Sequence, residues 1–435
     1  MDSVELYRQL LGLTASWTVE RVELDMAKKH VEVHVGHSGG QRFGCPECGR
    51  ELGVYDHLAE RVWRHLDSCQ FLTYLHARPP RVSCPEHGVH QVALPWAQSG
   101  SRFTNLFEAL AIDVLLAANV KKAAEILRIT WDEAWHLMER AVLRGRAAKH
   151  ADVPRQIGVD EKAIAKGHRY MTLVCDLEES TVEYIGEDRK ETSLAAYFDA
   201  FPKERREKID AISLDMWPAY IDACRDKVPG ADSKMVFDRF HIMRHVLDAV
   251  DKVRKQEHKG LMQAGDNSLT KSKYLWLTNP ANMTEKSKAR FDELKGAELK
   301  TSRAWALKEA LRELWSYTSV AWATKLWNRW YFWATHSRLP PMIAAAKLIA
   351  RHLPNVLTYF AHRVTNAVAE GLNSKIATVQ KRACGYRNPN NFKIAVYFHC
   401  GGLNLYPAAV THTRVGSFKI KRPLVPMEVG TNGSD

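Results

Sequence analysis

The chain has 435 residues, 46% hydrophobic and 26% charged, the make-up of a globular protein with room for two to four cored domains. No apolar run reaches the roughly 18 residues of a membrane span, and Met1 to Leu13 lacks an apolar targeting segment, so a cytoplasmic protein without a membrane partner is expected. The net charge is +12, and Arg239 to Arg363 holds 22 Lys and Arg against 10 Asp and Glu, which is the whole excess; this points to a polyanion partner, or else to a solvated helical surface.

In chain order, residues 4–13 predict a short helix, and the alternation within Val19 to Val35 predicts a strand or hairpin. Cys45-Pro-Glu-Cys48-Gly and Cys84-Pro-Glu-His87-Gly then repeat one design. Two such turns facing each other offer three thiolates and one imidazole, the donor set of a tetrahedral structural zinc site. His65, Cys69 and His90 stand as alternative fourth ligands. Eight cysteines are too sparse for a disulfide framework in a chain this long, which favours metal. Between the two turns, Arg61 to Asp67 and Phe71 to Arg78 read as strands, whose basic and aromatic side chains face either DNA phosphates or solvent.

Residues 101–150 carry a helix at Leu106 to Ala118, a second at Lys121 to Arg128, and a third begun by Thr130-Trp131-Asp132-Glu133, which has the form of a capping box. Helix, short turn, capped helix is the helix-turn-helix pattern, shared with plain three-helix cores. Trp131, Trp135, Met138 and Val142 are expected in the core. His136, Arg140 and Arg144 fall on another face and, with Lys121 and Lys122, are the candidate DNA contacts.

Residues 151–238 alternate strands and helices. Gln156 to Asp160 reads as a strand ending at a polar site, followed by basic Lys162, Lys166 and Arg169. Strands at Arg169 to Cys175 and Thr181 to Ile185, a helix at Ser193 to Phe201, a strand at Ile209 to Asp215, a helix at Trp217 to Lys227 and a strand at Lys234 to Phe237 follow. That order is the order of the ribonuclease-H-like fold. In it the first and fourth strands are neighbours, which sets Asp160 beside Asp215. Two carboxylates held close call for a shared cation, and Mg²⁺ or Mn²⁺ suits oxygen ligands. Singly, Asp215 also reads as a cap of the next helix and Asp160 as a partner of Lys162; Glu161 and Asp238 are nearby acids that compete for the metal role.

Residues 239–363 read as a basic all-α block with seven of the thirteen tryptophans, most of them core, and with Trp330 or Trp333 as a candidate for stacking on an unpaired base. Asn366 to Ala383 predicts a helix closed by Gly385, with Asn366, Glu370, Asn373 and Lys381 on one face. Asn391 to Cys400 suggests a last helix, and a loosely ordered tail is expected from Pro407.

On Ile157-Gly-Val-Asp160-Glu161, Leu214-Asp215-Met-Trp-Pro-Ala-Tyr220, Phe237-Asp238-Arg-Phe-His241, Asn366-Ala-Val-Ala-Glu370-Gly-Leu-Asn373-Ser and Gly385-Tyr-Arg-Asn388, the chain resembles the DDE transposases of bacterial insertion sequences, most of all the ISL-three family. The resemblance covers nearly the whole chain. It implies that Asp160, Asp215 and Glu370 are the metal-binding triad, and that the 154 residues between Asp215 and Glu370 include an inserted helical domain. The expected architecture is α+β and multidomain: a zinc-binding region (1–100), a helix-turn-helix (101–150), a ribonuclease-H-like α/β catalytic core (151–238 and 364–405) interrupted by an all-α insertion (239–363), and a tail (406–435). The expected function is binding of double-stranded DNA at terminal inverted repeats, then metal-dependent cleavage and strand transfer into target DNA by at least a homodimer. A DNA-binding regulator without catalysis and a structure-specific metal-dependent nuclease are the alternatives.

Overall fold

The computed structural model describes residues 2–149, 152–165 and 169–407. Lys166 and the expected tail beyond residue 407 lie outside the described residues. The chain divides into two units, Met1–Ala141 with the chain from Leu405, and Val142–Asn404.

The first unit begins with a helix, Ser3–Leu10, capped by Asp2, and two four-stranded sheets. Its strands are β1 (Thr18–Asp25), β2 (His30–Gly36), β3 (Arg42–Gly44), β4 (Glu51–His57), β5 (Arg61–Ser68), β6 (Phe71–Ala77), β7 (Pro80–Cys84) and β8 (Gly88–Gln91). The sheets run β1-β2-β6-β5 and β3-β4-β7-β8. In β2 the period of two is plain: Val31, Val33 and Val35 are buried beside Trp17, Trp63 and Leu75, while the residues between them are half-buried.

Three helices follow, Asn105–Ala117, Val120–Leu127 and Trp131–Ala148. Each starts on a side-chain cap. Thr104 Oγ1 accepts from Phe107 N, and Asn119 Oδ1 accepts from Lys122 N. At the third, Glu133 N donates to Thr130 Oγ1 at 3.2 Å while Thr130 N donates to Glu133 Oε2 at 2.9 Å, the reciprocal capping box. The turn between the second and third helices is tight because Arg128 adopts φ +56°, which closes the second helix. Trp135, Met138 and Val142 are buried as expected. Trp131 is not: it is 47% exposed and stacks flat on Trp135, since a first-turn side chain overhangs the helix end.

The second unit holds one five-stranded sheet, ordered β11-β10-β9-β12-β13, from β9 (Gln156–Ala165), β10 (Arg169–Asp176), β11 (Thr181–Ile185), β12 (Ala211–Leu214) and β13 (Met235–Phe237). The first three strands form an antiparallel meander, whereas β12 runs parallel to β9 and β13 parallel to β12. Helices Glu191–Asp199 and Pro218–Lys227 make the connections into β12 and β13 and cover Ile157, Val159, Ile212 and Leu214 with Leu194, Phe198, Tyr220 and Ile221. One expectation changes here. β9 does not end at Asp160 but pairs with β10 as far as Ala165; only its pairing with β12 stops, at Gly158. Asp160 is therefore mid-strand, with one edge left open by the short β12.

Helices are the only regular elements of residues 239–363, led by Arg239–Gln263, and their core runs without a break into that of the sheet. Trp276, Trp315, Trp327 and Trp330 are buried, and Trp330 Nε1 donates to Leu307 O. Trp330 is thus core and not a stacking surface, while Trp333 stays 44% exposed. The helices Ala367–Arg382 and Pro389–Cys400 complete the unit. Gly385, at φ +99°, returns its N–H to Gln380 O behind the first of them. No helix among the described residues is long and apolar enough to cross a membrane.

Candidate active site and zinc centre

Ser213 on β12 lies opposite Gly158 on the parallel β9. Two residues on come Asp160, on the same face of β9 as Gly158, and Asp215, one residue past the end of β12. The sheet thereby delivers both acids to one end. Asp160 Oδ2 accepts from Asn373 Nδ2 at 2.6 Å and its Oδ1 from Glu161 N at 2.7 Å. Burial pushes this carboxyl up to about 6. Lys162 does not pair with it; its Nζ donates instead to Asn373 O at 3.2 Å.

Burial acts on Asp215 too, but the hydrogen bond and charge of His241, helped by the Met216 N–H, outweigh it and hold the carboxyl below its usual range. His241 Nδ1 lies 3.3 Å from Asp215 Oδ2, and its Nε2 lies 3.8 Å from Asp238 Oδ2. Asp215 raises the imidazole in turn, against burial. Asp238 is 7% exposed, caps the Arg239–Gln263 helix through Phe240 N, and is raised by burial; its Oδ2 has no hydrogen-bond partner. His241 closes one of the motifs of the resemblance, which gave it no role of its own. The available signal was its place in the first turn after a capping Asp.

Glu370 sits one turn after Asn366 and one turn before Asn373 on its helix. The helix seats closely on β9 because residue 158 is glycine. A Cβ there would come within 2.7 Å of Leu177 Cδ2 and 3.4 Å of both Ala369 Cβ and Asn366 Oδ1. Glu370 itself is exposed and, with Asp238, lines a cavity of ≈ 720 Å³. Among the described residues, Asp160, Asp215 and Glu370 are not a group whose donor atoms all lie within 4.8 Å of one another. All three are hard oxygen donors of the kind a divalent cation takes, and burial raises Asp160 even with His241 nearby.

The other donor set is gathered. Cys45, Cys48, Cys84 and His87 present donor atoms all within 4.8 Å. Cys48 Sγ is 3.8 Å from Cys84 Sγ, and Cys84 Sγ is 3.5 Å from His87 Nδ1. Zinc held by sulfur at about 2.3 Å in a tetrahedron sets its sulfur atoms roughly 3.8 Å apart, so the donors fit. Each turn closes on a glycine at positive φ, Gly49 (+73°) and Gly88 (+79°), and Arg50 pairs with Glu86 across the two at 2.6 Å. Of the alternative ligands, Cys69 is exposed and outside the group, and the two histidines have other partners. His65 is buried against Thr104 Oγ1, and His90 Nε2 contacts His87 O.

Of the candidate DNA contacts, Lys121, Lys122 and His136 are exposed. Lys122 also meets Glu125 at 3.0 Å. Arg140 turns inward, donating to the buried Glu108 at 2.7 Å, and Arg144 is half-buried.

Residues 157–396 match a family model described as "Transposase", residues 41–87 one for the "zinc-finger of transposase IS204/IS1001/IS1096/IS1165", and residues 92–142 one for the "Helix-turn-helix domain of transposase family ISL3". Similar curated proteins are the "Transposase for insertion sequence element IS1557" of Mycobacterium tuberculosis, 28% identical over 89% of this chain and 94% of that protein, and the "Transposase for insertion sequence element IS1001" of Bordetella parapertussis, 27% identical over 81% and 87%.

Proposed function

We propose how a chain that belongs to the ISL3 family of transposases carries out its chemistry: Asp160, Asp215 and Glu370 form the catalytic triad and hold Mg²⁺ or Mn²⁺. The chain is a DNA-binding enzyme, a transposase of an insertion sequence, with a zinc-ribbon region and a helix-turn-helix ahead of its transposase domain. The observation that supports the assignment is the pairing register of β9 with β12, which directs Asp160 and Asp215 to one end of the sheet, together with the Asn373 bond that ties Glu370's helix to Asp160.

The strand order and the parallel contact of the first and fourth strands support a ribonuclease-H-like core. In that reading residues 239–363 are an all-α insertion between the second acid and the third, and the domain limits are 1–100, 101–150, 151–238, 239–363, 364–405 and 406–435. A divalent metal bound at the triad supplies Lewis acidity to the attacking and leaving oxygens of the phosphodiester. The protein's own groups set the geometry. Asn373 and the Glu161 N–H orient Asp160, and His241 orients Asp215 and is itself flanked by Asp238. Cys45, Cys48, Cys84 and His87 hold a structural zinc ion. Lys121, Lys122 and His136, the exposed members of the basic set, contact phosphates of the terminal inverted repeats. Arg140 shapes the helix-turn-helix through Glu108. Cutting both ends of an element within one complex requires at least a homodimer on DNA.

The test is cleavage and strand transfer in Mg²⁺ on duplex carrying the element's own terminal repeat. Nicks at the repeat boundary and joined products, both lost in Asp215→Ala, are expected. Specific binding without cutting by the parent protein would instead indicate a regulator, and cutting indifferent to the repeat a structure-specific nuclease.

A further inference from the structure

The period of two in β2 that buries Val31, Val33 and Val35 sends His30, Glu32 and His34 to the face of the sheet away from its core. On the parallel neighbour β6, His76 is the register partner of His34, and the two rings stack with centroids 4.6 Å apart. Glu60, the residue before β5, completes a group. His34, Glu60 and His76 present donor atoms all within 4.8 Å of one another, and no further His, Cys, Asp or Glu joins them at that distance among the described residues. The two imidazoles are largely buried, at 13% and 18% exposed, while Glu60 is 50% exposed.

The hydrogen bond behind His76 decides what its ring offers the group. His76 Nε2 donates to Glu32 Oε2 at 2.6 Å, because a carboxylate only accepts. The neutral ring then carries its bare lone pair on Nδ1, a buried atom with no hydrogen-bond partner. That nitrogen lies 3.9 Å from Glu60 Oε2. Two acceptors so placed are too far apart to share a proton, since a hydrogen bond spans about 2.7–3.2 Å. A metal ion reaches both. At about 2.0–2.2 Å from each donor it sets them roughly 3.4 Å apart at the tetrahedral angle, and the half-exposed Glu60 makes up the difference by turning. Glu32 then backs the imidazole as a carboxylate backs a metal-bound histidine, fixing its tautomer. Glu23, Glu32 and Glu60 outnumber the one guanidinium nearby, Arg21, which lies 3.3 Å from His34 Nε2 but is exposed and paired with Glu23 at 2.6 Å. We propose that His34, His76 and Glu60 bind a second zinc-class divalent cation, Zn²⁺, Co²⁺ or Ni²⁺, with its fourth position open to water. The ion braces β2 and β6 against the entry to β5, and its imidazole donors select against Mg²⁺. This site goes beyond the transposase reading: it shares no residue with the ribbon or with the three acids.

The test titrates Zn²⁺ by calorimetry into full-length Asp215→Ala protein that already holds the ribbon zinc, in excess Mg²⁺, so that the acids of the second unit are silent. One further equivalent is expected to bind. His76→Gln should weaken it by about a hundredfold or more, and Glu32→Gln, which touches no ion, by about ten- to a hundredfold. Glu60→Gln, a half-exposed change outside the strands, serves where His76→Gln does not fold, and should weaken binding about tenfold. Circular dichroism and elemental analysis check that each variant is folded and keeps its ribbon zinc. Absence of a second equivalent, or a second equivalent bound as tightly by His76→Gln and Glu60→Gln as by the parent, overturns the site. Either result leaves the transposase reading standing, since that reading is judged by the cutting of repeat DNA.

Discussion

The zinc turns and the carboxylate site are opposite ways to build a metal centre from one chain. The four soft donors stand together, within 4.8 Å, and each half comes from a single turn of the Cys-Pro-Glu type with its own glycine. The three acids come from two strands and a distant helix, and do not converge to that distance. Charge explains the contrast. Thiols and a neutral imidazole can wait side by side, whereas carboxylates repel until a cation neutralises them. What holds the acids meanwhile is their neighbours: Asn373 for Asp160, His241 for Asp215, and the helix seat at Gly158 for Glu370. A closed centre maintains a fold, and an open one keeps room for substrate and for rearrangement.

The comparison breaks most sharply in activity. Changing Asp215 or Asp160 to Asn, or Glu370 to Gln, should lower repeat cleavage by on the order of 10³-fold or more, several kcal/mol of transition-state stabilisation, with little change in repeat binding by gel shift. Cys84→Ser should do the reverse: lose the zinc ion by elemental analysis, unfold the ribbon and abolish specific binding. If Cys84→Ser kept its zinc and its binding, the assignment of that donor would be wrong.

The sharing-out of roles among basic residues was only half legible in the sequence. A face at helical spacing grouped His136, Arg140 and Arg144, but spacing does not say which way a long side chain turns. The missing signal was Glu108, an acid inside the apolar helix Asn105–Ala117, because a buried carboxylate demands a cation. By contrast, the positions of the second unit's strands, the capping box and the two matched turns were readable, since each rests on local patterning. The true end of β9 was not, because its length is set by a partner, β10, which continues past the point where β12 stops. Arg140→Ala therefore tests structure more than DNA contact. Removing the Arg140 cation from the buried Glu108, which keeps the Ser101 Oγ hydrogen bond, should cost about 1–2 kcal/mol by denaturant unfolding, discounted because Arg140 is 31% exposed. Lys121→Ala should leave stability nearly unchanged, weaken DNA binding and make the salt dependence of binding shallower. Equal stability losses in the two variants would remove the distinction.

The smallest effect isolates the strain at Asp160. Its folded carboxyl is raised by burial to about 6, above its ordinary 3.8, so the fold prefers the neutral form. The unfolded chain gives up that proton at lower pH. The favourable term is therefore complete below about pH 4, declines as pH rises through 6, and is gone above it. By linkage the ionised group costs up to about 3 kcal/mol at pH 8, and about 2 after allowance for its partial exposure. Asp160→Asn removes the charge but loses one of two accepted hydrogen bonds, a loss of about 1 kcal/mol. The variant should accordingly melt a few degrees above the parent at pH 8 without added magnesium, and slightly below it at pH 4. Magnesium should raise the parent's melting temperature at pH 8 and the variant's much less, since a ligand stabilises only the state that binds it. A gap between the two proteins that is the same at both pH values would mean that the Asp160 carboxylate is not strained by burial.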